Sequence, residues 1–157
     1  MSRSSSAWRW VKPIGWAAII AITSNAFIGT KSFSAAAGQA VGISSRSFES
    51  FWETWWWLFV KGYHFLEFAL LFWLLLKALR TGGQIYPSAA GWALGVSAMY
   101  AALDEFHQSF ISYRGGRVSD VVIDCAGIAT AALISWGIRA YKAKRSKNSG
   151  APTTSLP

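Results

Sequence analysis

Apolar and polar residues alternate along the chain in long blocks. Ile14 to Ile28 is apolar apart from Thr23, Ser24 and Asn25. Three further apolar runs follow, at residues 60–79, 88–106 and 117–141. Each run approaches the roughly 20 residues that an α-helix needs to cross a bilayer. Together with the first, at about 14–30, they predict four spans. Lys31 to Ser50 is rich in Ser, Ala and Gly and reads as an external loop. The run FWETWWWLF, Phe51 to Phe59, is aromatic enough to lie in the headgroup zone before the chain turns inward. Trp enrichment at interfaces is general, so an interfacial anchor is favoured over a lipid-binding wall. Thr81-Gly82-Gly83 and Pro87 predict a tight turn, and Ser109 to Gly116 a second connection.

Composition agrees with this pattern. Hydrophobic residues make up 53% of the chain and charged residues 14%, well below the roughly 25% of soluble domains. Cys125 is the only cysteine, which excludes an internal disulfide and a Cys-only metal cluster within one chain. The expected fold is all-α: an integral membrane four-helix bundle over residues 1–141, followed by a basic, disordered tail at 142–157.

The net charge of +8 would suit nucleic acid, but its distribution excludes that partner. Arg3, Arg9 and Lys12 precede the first span, Lys77 and Arg80 close the second, and Arg139, Lys142, Lys144, Arg145 and Lys147 close the fourth. Basic groups at alternate boundaries mark cytoplasmic flanks and favour contact with anionic membrane lipids. Both termini are then cytoplasmic. All seven acids fall in or near the predicted outer segments. The first span also fits a signal peptide ending at Ser24-Asn25-Ala26. A retained helix is the reading adopted, and either choice leaves the next segment outside.

Asp104 to Gly127 holds four of the seven carboxylates. Charge this dense between apolar runs is costly unless it is paired, wet or functional. Asp104, His107 and Gln108 share a helical face, as do Asp120, Asp124 and Gly127. Lys61, His64 and Glu67, at spacings of three, reach the same outer end from the second span. Gly91 and Gly95 form a small-residue pattern that permits close helix contact.

Three readings fit the convergence. In the first, Lys61, Arg114 and Arg117 neutralise the acids and the network fixes helix register. In the second, it is a site: His64, Glu67, Asp104, Glu105 and His107 are the candidate acid–base groups. Lys61, Gln108, Arg114, Arg117, Asp120 and Asp124 would then hold an anionic ligand, such as a lipid-linked or cell-wall intermediate. In the third, the histidines and carboxylates bind metal. No two histidines stand at helical ligand spacing, so no metal centre is expected, and the residues name no cofactor.

The pattern Asp104-Glu105-x-His107-Gln108-x-Phe110-x-x-x-Arg114, then five residues to Asp120, then Gly127, resembles the VanZ-like family of bacterial membrane proteins. Lys61-x-x-His64-Phe65-x-Glu67-Phe68 matches that family's second-helix motif. The resemblance covers residues 60–135 and implies a four-helix membrane protein linked to glycopeptide resistance, especially to teicoplanin. It marks Lys61, His64, Glu67, Asp104, Glu105, Gln108, Arg114 and Asp120 as functional positions. The chain departs from the family in carrying Asp124 where asparagine is expected, which calls for a cation such as Arg117. It also has Ser112-Tyr113 in place of Pro-Gly, Ser24-Asn25 at the end of the first span, and a long segment before the second helix.

Overall fold

The computed structural model describes residues 3–25, 38–40, 42, 45–111 and 116–148. They form four long helices and no strand: α1 (Arg3–Asn25), α2 (Ser45–Thr81), α3 (Tyr86–Gln108) and α4 (Val118–Asn148). The all-α expectation holds. Two of these helices, over Phe48–Thr81 and Val118–Asn148, are long and apolar enough to cross a membrane.

No proline falls inside α2 or α4, so nothing interrupts their backbone ladders. The 37 residues of α2 therefore run about 55 Å as one helix. The aromatic run Phe51–Phe59 belongs to this helix. Phe48, Trp52 and Phe59 recur along one side and stack on one another, at ring separations of 6.4 and 5.7 Å. The chain leaves α2 through Gly83, whose φ of +89° is left-handed, the conformation that closes a helix most cheaply at glycine. Pro87 then opens α3, where its missing N–H would have had no partner anyway. At the other end of the chain, α4 continues to Asn148. The first seven residues of the expected tail are thus helical, because Lys, Arg and Ala are good helix formers and no Gly or Pro intervenes.

The second helix is central and touches each of the other three; α1 packs on α2 and α3. Packing pairs large residues on α2 with small ones on its neighbours. Phe68, Leu71, Phe72, Leu75 and Leu76 meet Ala89, Ala93 and Ala101 of α3, and Ile128 and Ala131 of α4. Between apolar helices in lipid, association rests on such close van der Waals fit. The small stripe of α3 is Ala89, Ala93, Ser97 and Ala101, not the expected Gly91 and Gly95. Both glycines are exposed, and neither has a neighbouring atom where a side chain would stand. Gly127 is the glycine that matters: a Cβ there would collide with the backbone carbonyl of Phe65. Its absence lets α4 lie directly on α2. Tyr100 donates from α3 to the Ala17 carbonyl of α1 at 2.7 Å, and Trp16 donates from α1 to the Glu67 carbonyl of α2 at 2.9 Å.

Candidate functional site

The ends of the helices differ in charge. One end gathers the C-terminus of α1, residues 61–67 of α2, the C-terminus of α3 and the N-terminus of α4. Polar groups from all four helices meet there. The sequence brings them together because each helix turns its few polar residues toward its neighbours while apolar residues face outward, Leu66, Leu103 and Val122 among them.

The outermost contact is between α2 and α4. Lys61 Nζ donates to Asp120 Oδ1 at 2.5 Å, with both side chains about 30% exposed. Ser119 also donates to this carboxylate at 3.1 Å. One turn deeper, His64 Nδ1 lies 3.8 Å from Asp124 Oδ1. Asp124 is fully buried, and no hydrogen bond reaches either of its oxygens among the described residues. Glu105 of α3 is 5% exposed and accepts the backbone N–H of Arg117 at 3.0 Å. It joins the same place, where one ligating atom each from His64, Glu105 and Asp124 lie within 4.8 Å of one another.

A second group ties α1 to its neighbours. Ser24 and Gln108 both donate to Asp104 Oδ2, at 2.7 and 2.8 Å. Thr23 donates to Glu67 Oε1 at 2.9 Å. Asp104 and Glu67 are 7% and 1% exposed. An uncompensated buried charge costs several kcal/mol, and hydrogen bonds to the charged form lower that cost.

The structure therefore brings together Lys61, His64, Glu67, Asp104, Glu105, Gln108, Asp120 and Asp124. It separates two of the expected participants. His107 is exposed, and its Nε2 meets Asn25 Oδ1 at 3.1 Å, at the edge of the cluster. Arg117 is exposed and contributes its backbone N–H to Glu105. It is not the cation that Asp124 was expected to find; His64 faces that carboxylate. Arg114 lies outside the described residues. Lys61, His64 and Glu67 do not all face one neighbour either. Each step of three residues falls about 60° short of a full turn, so Lys61 and His64 face α4 while Glu67 reaches α1.

Thr23 and Ser24 are the members that sequence reasoning missed. Their signal was present: with Asn25 they are the only polar residues in the apolar run of α1. The burial of Glu105 follows from α4 and its leading turn folding over it.

The opposite end carries a groove of about 530 Å³, bordered by Trp73, Lys77, Arg80, Tyr86, Arg139 and Lys142. The Tyr86 ring has the guanidinium groups of Arg80 and Arg139 at 5.7 and 4.9 Å from its centroid, within cation–π range. Its hydroxyl bonds Ser135 Oγ of α4 at 2.7 Å.

Comparison with known proteins adds one finding. A family model described as VanZ/LLP1 matches residues 10–139. No curated protein and no solved structure matches the chain significantly.

Proposed function

The chain belongs to the VanZ/LLP1 family, and from that premise we propose that its polar cluster binds or acts on an anionic group of a cell-envelope or lipid-linked molecule. In this reading the protein crosses the bacterial inner membrane four times, with both termini cytoplasmic and the cluster at the outer face. The observation that carries the reading is the meeting of Lys61, His64, Glu105, Asp120 and Asp124 from three helices, at the end opposite the basic groove. Basic residues at the other end agree with a cytoplasmic location there, and their groove suits anionic lipid headgroups.

The arrangement divides the work between rim and floor. Lys61 and Arg117 reach solvent and are cations available to an incoming anion. An anionic ligand would displace Asp120 from Lys61. That exchange costs little, because a partly exposed ion pair contributes only about 0–1 kcal/mol. Behind the rim, His64 and the buried carboxylates can take up or release a proton at the bound group. Reduced susceptibility to a glycopeptide such as teicoplanin is the phenotype this predicts. A second reading rests on the hydrogen-bonded set Ser24, Asp104, Gln108, Thr23 and Glu67, which joins α1 to α2 and α3. Under it the protein is a non-catalytic scaffold.

Asp104→Asn, His64→Gln and Arg114→Lys separate the two. A normal protein level with loss of the envelope-drug phenotype supports the site. Reduced levels with unchanged susceptibility support the scaffold. Orientation is tested in a Cys125→Ser background. Tyr113→Cys is expected to react with an impermeant thiol reagent in intact cells and Gly83→Cys is not; the reverse pattern sinks the outer-face assignment.

A further inference from the structure

Three ligand types for a metal ion meet inside the cluster, each from a different helix. His64 comes from α2, Glu105 from α3 and Asp124 from α4, with one atom of each within 4.8 Å of the others. Two atoms bound to one ion at about 2.1 Å lie roughly 3–4 Å apart, and His64 Nδ1 and Asp124 Oδ1 are already 3.8 Å apart. Asp124 is the decisive residue. It is fully buried, and among the described residues neither oxygen receives a hydrogen bond. Lys61, one turn away on α2, is engaged by Asp120 at the rim. A sealed carboxylate requires a proton or a cation. A divalent cation would meet that need, with the Glu105 carboxylate and the His64 imidazole in place as its further ligands.

We infer that His64, Glu105 and Asp124 bind one divalent first-row cation, Zn²⁺ or Mn²⁺. One imidazole with two carboxylates suits these ions. Ca²⁺ and Mg²⁺ prefer oxygen alone, and the site offers no thiolate for softer metals. The Arg117 N–H on Glu105 Oε2 orients one ligand from outside, as outer contacts do in metal sites. Three protein ligands leave a position open for water or an anion. This inference is independent of which envelope molecule is bound: metal content reports on the one and drug susceptibility on the other.

The test uses the full chain purified in detergent, stripped with chelator, reloaded with Zn²⁺ or Mn²⁺ and washed. Elemental analysis should find one ion per chain, and the Mn²⁺ form should give a bound-ion paramagnetic resonance spectrum. Asp124→Asn and Glu105→Gln should each lower affinity at least ~10-fold, while Asp120→Asn keeps the metal. Size-exclusion profiles identify any variant that misfolds, and the wild-type stoichiometry stands without the variants. Wild-type protein that retains well under one ion per chain overturns the site. So does retention that both ligand variants leave unchanged.

Discussion

The two ends of this molecule handle charge in opposite ways. At one end Glu67, Asp104, Glu105 and Asp124 are drawn inside, each no more than 7% exposed. At the other, Lys77, Arg139, Lys142 and Lys144 stay exposed, and two arginines spread over Tyr86. Long basic side chains keep their heads in water while their stems lie along apolar surface, so their placement needs little from the fold. Short acidic side chains cannot reach out in the same way. Once buried they need partners at hydrogen-bond distance, and those partners come from different helices. The basic end can orient the protein; the acidic end demands a particular tertiary structure.

The difference can be broken by mutation, and the largest effect is expected where helices touch most closely. Gly127→Leu forces a side chain into the Phe65 carbonyl and should cost about 3 kcal/mol, at the upper end for overpacking. Gly137→Leu, on the same helix toward the basic end, places its Cβ where no atom lies within 4 Å and should cost nothing, since a helix-interior glycine is itself disfavoured by about 1 kcal/mol. Thermal unfolding in detergent measures both, and equal losses would refute the close α2–α4 approach. Next in size is Asp104→Ala. It strands the buried Ser24 and Gln108 donors and should cost about 1.5–3 kcal/mol, the range for hydrogen bonds to a charged group. Arg139→Ala at the basic end removes one cation–π contact and should cost only about 0.5–1 kcal/mol. Among the changes that remove a contact, the smallest effect belongs to Lys61→Met. Its pair with Asp120 is about 30% exposed, so the loss should be about 0–1 kcal/mol, although the residue stands where an anionic ligand would enter. A loss as large as that of Asp104→Ala would show that the rim is as enclosed as the floor.

Much of the site was legible in the chain because helical periodicity is a local property. Asp120, Asp124 and Gly127 were expected on one stripe, and all three face α2. Lys61 and His64 were expected together and meet that stripe. Periodicity could not say which face of α3 would be buried. Gly91 and Gly95 look like a contact motif, yet the packed face carries Ala89, Ala93, Ser97 and Ala101, because that face also bears Asp104 and Gln108. Nor could it show that His107 lies at the edge or that Arg117 leaves Asp124 to His64.

The sequence by itself determined the all-α class, the apolar runs, the concentration of acids at one end and bases at the other, and the motif residues that identify the family. Each is readable from neighbouring positions, since helix period, span length and charge placement act over a few turns. The tertiary structure alone decided the partners. Ser24 and Asp104 are 80 residues apart, Thr23 and Glu67 are 44 apart, and His64, Glu105 and Asp124 come from three helices. Which polar group satisfies which buried charge depends on how the helices rotate and how closely they approach, and that is set by large side chains on α2 fitting small ones on α3 and α4.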